Sequence, residues 1–218
     1  MSSRTRVKVC CIANLEEAEL AVTHGASALG LVSAMPSGPG VIPEDQIAAI
    51  AASVPRSMDT FLLTALQSAE ALAAQHQRCG TTSLQLVDRV PARELQLLRT
   101  ALPHIQLVQV IHVRDERSVE EALEVSAHVD ALLLDSGNPS LQVKELGGTG
   151  RTHDWGLSRR IREAAPLPVW LAGGLHAGNL AEAVGAVSPF GVDVCSGLRT
   201  GGRLDPRKLD AFFQALPG

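Results

Sequence analysis

The chain has 218 residues, 45% of them hydrophobic and 19% charged, which predicts a soluble globular protein with a full core. Its net charge of −4 gives no electrostatic reason to expect nucleic acid or an anionic membrane as a partner, and an aromatic content of 3% leaves few rings on which bases could stack. The four cysteines form no CxxC pair or Cys/His zinc spacing, and no apolar run reaches transmembrane length.

No linker or low-complexity segment interrupts the chain, so we expect a single domain over residues 1–218. The polar start MSSRTR and the short apolar run after it do not have the form of a secretory signal. The expected location is therefore the reducing cytoplasm.

Short β-rich runs alternate with helical patterns along the whole chain. The strands are predicted over residues 7–13, 28–32, 59–65, 83–87, 105–113, 131–135, 168–172 and 191–196. Helices are predicted after Asn14 and after Pro43, and then over residues 68–78, 91–102, 115–127, 155–164, 180–187 and 204–216.

These elements make eight strand–helix units at roughly 25-residue intervals. The strands are continuously apolar, as in a parallel sheet that is buried on both faces. An open doubly wound sheet is the alternative, but eight regular units favour a single-domain α/β fold of the (β/α)8, or TIM barrel, type.

Two glycine turns follow the last two predicted strands, at Gly173-Gly174 and at Ser196-Gly197. Glycine lets the backbone approach a ligand closely, and free N–H groups in such turns bind anions. The glycines could instead only form the turns between the strands and helices of a βαβ unit. Two such turns in tandem favour a phosphate site.

Polar side chains also occur at strand ends, where barrels place their active sites. Lys8 and Cys10 are two residues apart and share a face, with Cys11 expected on the opposite face. Asp135 closes the apolar run ALLL, and Asp193 lies in the last strand. Structural explanations of these residues remain open. Cys10 could be a small buried apolar side chain, and Lys8 could only start the strand with its amine in water. Asp135 could cap the following turn, and Asp193 could only order the turn after the last strand.

The seven histidines include no HxH or HxxxH pair, so we expect no metal site. His153 and His176 fall in loops predicted at the active face and are secondary candidates for a functional role.

Several motifs resemble phosphoribosylanthranilate isomerases. The opening VKVCCIANLEEAELAVTHGASALGLV, then LLLDS, GGTGRTHDW, LAGGLHAGN and GVDVCSGL are similar to that family's motifs, in the same order and over nearly the whole chain. The family fold is a (β/α)8 barrel, in agreement with the strand–helix pattern.

The resemblance implies an Amadori rearrangement of a phosphoribosylated arylamine in tryptophan biosynthesis, with no cofactor and no metal. On that reading Asp135 is the general acid and Cys10, as a thiolate, is the general base. The implied phosphate-binding residues are Gly173, Gly174, Ser196 and Gly197, and the implied substrate-binding residues are Lys8, Gln85, Gly148 and Asp193. The partner would be a small phosphosugar, with no nucleic acid or membrane, and the protein a monomer or homodimer.

The sequence departs from the family pattern near the aglycone. Cys11 replaces the glycine that follows the cysteine, and we expect its thiol on the outer face. Pro39 falls where an arginine is thought to hold the anthranilate carboxylate, and no Lys or Arg occurs between Lys8 and Arg56. The family's Q-L-H-G is QLVD at residues 85–88, and Gln109 stands where lysine is common.

Three hypotheses follow. The first is a phosphoribosylanthranilate isomerase that is divergent in its anthranilate pocket, with Arg151 or Lys144 as a replacement cation. The second is an isomerase of another phosphoribosyl amine that lacks the carboxylate. The third is a barrel that binds a phosphosugar without converting it.

Overall fold

The computed structural model describes residues 5–137, 141, 146 and 150–217. Within them, eight parallel strands pair in chain order and close into a barrel, because the first strand pairs with both the second and the eighth. The strands are β1 (Arg6–Val9), β2 (Ala28–Val32), β3 (Asp59–Thr64), β4 (Ser83–Leu86), β5 (Gln106–His112), β6 (Ala131–Asp135), β7 (Val169–Leu171) and β8 (Gly191–Val194).

A helix follows each barrel strand. The helices are α1 (Leu15–Thr23), α2 (Glu44–Ser53), α3 (Ala69–Cys79), α4 (Ala92–Ala101), α5 (Arg117–Val125), α6 (Trp155–Ala164), α7 (Leu180–Val187) and α8 (Pro206–Gln214). The predicted (β/α)8 barrel is therefore confirmed. In the part of the chain that the structure describes, no helix is long and apolar enough to cross a membrane.

The predicted element ends agree within one or two residues in most cases, and β1 is the clearest exception. The apolar run 7–13 predicts a long strand, but the strand stops at Val9 because Cys11 adopts a left-handed backbone with φ of 61°. The sequence also gave no sign of a 3-10 helix at Ser196–Leu198 or of the ribbon that pairs β9 (Arg199–Thr200) with β10 (Arg203–Leu204).

Apolar side chains pack in two layers. The larger layer lies between the sheet and the surrounding helices, and the smaller one fills the barrel interior. Inside the barrel, the rings of Phe61 and Trp170 meet edge to face with centroids 5.6 Å apart. Gly191 makes room for Trp170, since an added Cβ would lie 2.5 Å from that ring. The interior floor is thus solid, and any ligand must bind at the barrel ends.

An ion pair ties the start of α1 to the segment after β8. Asn14 caps α1 by accepting a hydrogen bond from the Glu17 N–H at 2.9 Å, as the sequence predicts. The Glu17 carboxylate accepts hydrogen bonds from the backbone N–H of Ala13 and of Leu204 and pairs with Arg199 at 2.9 Å. Arg199 therefore fixes the loop that begins at Cys10 against the end of the barrel sheet.

Candidate active site

A cavity opens at the carboxyl ends of the barrel strands, where the barrel fold places active sites. Counted together with the open solvent at its mouth, the space between its walls is about 640 Å³. Its described lining includes Cys10, Cys11, Met35, Pro39, Gln85, Asp135, Gly173, Gly174, Asp193, Cys195 and Ser196. The structure thus brings most of the sequence-predicted site residues to one cavity.

Cys10 presents its thiol to this cavity from the end of β1. The Lys8 ammonium lies 3.6 Å from the Cys10 sulfur, on the same face of the strand, as predicted from the spacing. Gly30 on the neighbouring strand leaves room for both groups, because a Cβ there would lie 2.7 Å from the sulfur and 3.0 Å from the amine. The thiol and the cation are therefore held side by side.

Lys8 is completely buried and pairs with Asp193 of β8 at 2.9 Å. Burial opposes the charge on Lys8, but the neighbouring Asp193 carboxylate outweighs it and raises the lysine pKa. The Lys8 ammonium also lies 5.2 Å from the centre of the Phe61 ring. Asp193 reaches the cavity wall and Lys8 lies behind it, so any effect of Lys8 on a ligand is transmitted through Asp193 and Cys10.

Asp135 lies at the end of β6 and lines the same cavity. It is 9% exposed, and one carboxylate oxygen accepts a hydrogen bond from the Ser136 N–H at 2.7 Å. That bond joins neighbouring residues, and Ser136 and Gly137 are not helical; the next helix among the described residues starts at Trp155, with Asp154 as its cap. The carboxylate is therefore available to a ligand.

The two glycine turns meet at one side of the cavity. Gly173 and Gly174 have φ of 85° and 63°, in the region that favours glycine. Gly197 lies against the first turn so closely that an added Cβ would be 2.0 Å from the Leu175 carbonyl oxygen. Within the described residues, no hydrogen-bond acceptor is found for the N–H groups of Gly173, Gly174, Ser196 and Gly197. This pattern suits an anion.

The opposite side of the cavity is less polar. Gln85 is 3% exposed, and its side-chain oxygen has no hydrogen-bond partner within the described residues. This oxygen can therefore accept a hydrogen bond from a ligand. Met35 and Pro39 also line the cavity. Among the lining residues that the structure describes, none is Lys, Arg or His. Gly148 and Lys144, both named from the sequence, lie outside the described residues.

Gln109 does not belong to this site. It pairs with Leu86 in the sheet and points to the helix layer, where its amide donates hydrogen bonds to the carbonyl oxygens of Leu86 and Asp88 at 3.0 Å. The expectation that Gln109 contributes to the aglycone side of the site was therefore wrong. Its neighbours Val108 and Val110 face the interior instead.

The two loop histidines differ in their position. His153 lies behind the Gly173 turn, its Nε2 is 2.7 Å from the Ser158 hydroxyl, and burial lowers its pKa. His176 is exposed and accepts a hydrogen bond from the Gly178 N–H at 3.1 Å. Neither lines the cavity. In residues 5–137 and 150–217, no cluster of three metal-ligating side chains occurs.

Cys11 is not on the outer face, where the alternation of a strand would put it. Its φ of 61° turns the thiol into the cavity wall, 2.7 Å from the sulfur of Cys195. A glycine would adopt this left-handed backbone without the strain that a cysteine has there. Sequence reasoning missed Cys195 as a cavity residue, although its place two residues after Asp193 is a signal for the same face.

Several known proteins are similar to this chain over nearly its whole length. The family model described as N-(5′-phosphoribosyl)anthranilate (PRA) isomerase matches residues 7–215. N-(5′-phosphoribosyl)anthranilate isomerase of Methanosarcina acetivorans is 34% identical over 98% of this chain and 93% of its own. The Nostoc punctiforme protein of the same name is 35% identical over 97% of this chain and 98% of its own.

Solved structures give the same result. A phosphoribosylanthranilate isomerase in complex with reduced 1-(o-carboxyphenylamino)-1-deoxyribulose 5-phosphate superposes with a TM-score of 0.79 at 27% identity, over 97% of this chain and 98% of that one. The isomerase from Thermotoga maritima has a TM-score of 0.82 at 29% identity with the same coverage. The chain belongs to the N-(5′-phosphoribosyl)anthranilate isomerase family.

Proposed function

We propose that this protein catalyses the Amadori rearrangement of N-(5′-phosphoribosyl)anthranilate, the isomerisation step of tryptophan biosynthesis, with Asp135 as general acid and Cys10 as general base. The observation that carries this proposal is that one cavity is lined by the Asp135 carboxyl group, by the Cys10 thiol beside Lys8 and by two glycine turns. The substrate would be a small phosphosugar, bound by a cytoplasmic monomer or homodimer.

Asp135 performs the first step. Its carboxyl group gives a proton to the furanose ring oxygen, the bond between that oxygen and C1′ breaks, and the nitrogen lone pair forms a C1′=N double bond. The substrate's own nitrogen supplies the electrons, so the step requires no metal. The position of Asp135 at the end of an apolar strand keeps water away from the proton that is transferred.

Cys10 performs the second step. Its thiolate removes the proton from C2′, the C–H electrons form a C1′=C2′ double bond, and the iminium nitrogen becomes neutral. The resulting enolamine then takes a proton at C1′ and loses one from the C2′ hydroxyl to give the ketone. The Lys8 ammonium lies 3.6 Å from the Cys10 sulfur, close enough to attract the negative charge of the thiolate that acts as the base.

Lys8 and Asp193 act as positioning residues for this base. A buried lysine without a counter-ion would lose its proton, and the 2.9 Å pair with Asp193 prevents this. The charge beside Cys10 thus depends on a carboxylate that itself lines the cavity. Asp193 can also accept a hydrogen bond from a ribose hydroxyl.

The substrate phosphate would rest on Gly173, Gly174, Ser196 and Gly197. Their N–H groups lack partners among the described residues, and the absence of Cβ atoms at the three glycines lets a phosphate approach the backbone. With the phosphate held there, the ribose would extend across the cavity towards Cys10 and Asp135.

A second candidate function keeps this chemistry and changes the amine. It is favoured by the lack of Lys, Arg and His among the described lining residues and by Pro39 at the expected arginine position. Without a charge-assisted bond, an anthranilate carboxylate would bind more weakly by about 2 kcal/mol. A phosphoribosyl amine that carries no carboxylate would lose nothing.

Complementation of a tryptophan auxotroph that lacks this isomerase tests the proposal. The wild-type gene should restore growth without tryptophan, and the Cys10→Ala and Asp135→Asn variants should not. Cys79→Ser is the matched control, because Cys79 lies in α3, away from the cavity. Failure of the wild type, with inorganic phosphate still bound by the purified protein, would support a barrel that binds a phosphosugar without converting it.

A further inference from the structure

Two thiols that the proposed mechanism does not use face each other in the cavity wall. Cys11 follows the end of β1, Cys195 follows the end of β8, and their sulfurs are 2.7 Å apart. We propose that Cys11 and Cys195 form a reversible redox modification site, which peroxide converts to a disulfide that shuts down the active site. The effect on turnover rests on the proposed function, whereas the formation of the bond does not.

The backbone holds these two residues in register. β1 and β8 pair directly, Val9 opposite Val194, and the Cys10 N–H donates to the Val194 carbonyl oxygen at 2.8 Å. Because both thiols extend from adjacent paired strands, the sulfurs need to approach by well under 1 Å to reach a disulfide length of about 2.05 Å. The bond can therefore form with little change in the rest of the barrel.

The surroundings of Cys195 make its thiol easier to ionise than that of an ordinary cysteine. The hydrogen bond with Cys11 lowers the pKa of Cys195, and the nearby Arg199 guanidinium acts in the same direction against the effect of burial. The hydrogen bonds with Cys10 and Cys195 raise the pKa of Cys11, so Cys11 keeps its proton. A thiol with a lowered pKa next to a protonated partner is the arrangement of a peroxide-sensitive pair.

The reaction balances with hydrogen peroxide as the oxidant. The Cys195 thiolate attacks one peroxide oxygen, the O–O bond breaks, hydroxide leaves, and Cys195 becomes a sulfenic acid. The Cys11 sulfur then attacks the Cys195 sulfur, the S–O bond breaks, and water leaves with the thiol proton. A small thiol or dithiothreitol reverses the process by reducing the disulfide.

The bond would connect the two halves of the catalytic apparatus. Cys11 is the residue after the proposed base Cys10, and Cys195 is the residue before Ser196 of the phosphate site. The disulfide would tie these two segments together and place the S–S bond in the cavity wall between the proposed base and the phosphate site. We therefore expect the oxidised enzyme to bind phosphate and substrate more weakly and to lose most of its turnover.

Peroxide titration of the reduced full-length protein tests the proposal. Peptide mapping without reductant should find one intramolecular bond, between the peptides that contain Cys11 and Cys195, and turnover should fall at least tenfold and return with dithiothreitol. The proposal is overturned if Cys10 forms the bond instead, or if the thiols convert only to sulfinic acid without a disulfide.

Single variants separate the site from general oxidation. Cys195→Ser should keep its own starting rate at peroxide concentrations that inactivate the wild type. Cys11→Gly should form no disulfide, because its Cys195 sulfenic acid lacks the Cys11 thiol as a partner. Cys79→Ser should remain as sensitive as the wild type, because burial raises the pKa of Cys79 to about 11 and leaves that thiol unreactive. Equal loss of turnover in Cys195→Ser and the wild type would contradict the proposal. Peptide mapping of the disulfide tests the formation of the bond even if the protein shows no isomerase activity.

Discussion

At the scale of single residues, Cys11 shows what a sequence pattern can and cannot reveal. Strand alternation predicts an outward side chain, but the backbone turns left-handed at this residue and carries the thiol into the cavity wall. Gly40, from the loop after β2, then packs directly on it: an added Cβ would lie 2.6 Å from the Cys11 Cβ. The position of the Cys11 side chain therefore requires a residue without a Cβ at position 40.

This contact predicts that Gly40→Ala destabilises the protein by about 2–3 kcal/mol, through a steric clash added to the left-handed strain at φ of 79°. Gly80→Ala is the matched control, because Gly80 has φ of 65° but nothing within 4 Å of an added Cβ. Urea unfolding should give the control a loss of only about 1 kcal/mol. Equal losses for the two variants would show that no clash exists, whereas Cys11→Gly should partly rescue Gly40→Ala.

At the scale of the elements, the sequence predicted every barrel strand and helix but not the short segment after β8. Eight apolar runs of similar length specify parallel strands, whereas the two-residue strands β9 and β10 are too short to produce a periodic pattern. The segment is fixed instead by Arg199, which donates to the carbonyl oxygens of Cys10 and Cys11. A local sequence pattern does not predict a contact between residues so far apart in the chain.

The buried partner of Arg199 predicts a pH-dependent stability. Burial opposes ionisation of Glu17, but its hydrogen bonds with Arg199 and with backbone N–H groups prevail and lower its pKa. A carboxyl group with a lowered folded-state pKa stabilises the fold above its unfolded pKa, and this contribution is lost as the pH falls through the folded value. Glu17→Gln should therefore cost roughly 3 kcal/mol at pH 7 and progressively less towards pH 3.

Urea unfolding curves across that pH range measure this difference. Glu16→Gln is the control on the same helix turn, since Glu16 is exposed. A loss for Glu17→Gln that stays constant between pH 7 and pH 3 would contradict the assigned ion pair.

At the scale of the whole molecule, closure of the barrel brings together groups that are distant in the chain. The ends of β1, β6, β7 and β8 supply Cys10, Asp135 and the two glycine turns to one cavity. Their positions at strand ends made this half of the site predictable, because parallel strands end at the same face. The aglycone side depends on long loops, whose paths the strand pattern does not determine.

The aglycone side gives a prediction about specificity. Pro39→Arg places a guanidinium in the cavity lining and should lower the KM for N-(5′-phosphoribosyl)anthranilate by about 30-fold, the effect of one charge-assisted hydrogen bond of about 2 kcal/mol. The KM for the same phosphoribosyl amine made from aniline should not improve, because aniline has no carboxylate. An equal change for both substrates would show that the arginine does not contact the carboxylate.

The central claim is that Cys10 and Asp135 carry the isomerisation, and steady-state turnover of N-(5′-phosphoribosyl)anthranilate by the purified protein tests it most directly. Wild type and Cys79→Ser should turn over at the same rate, while Cys10→Ser and Asp135→Asn should each lose about 10²- to 10⁴-fold in kcat, the usual contribution of a general acid or base. Inorganic phosphate should still bind to both variants. Wild-type rates in either variant, or a wild type that binds phosphate without turning over the substrate, would contradict the claim.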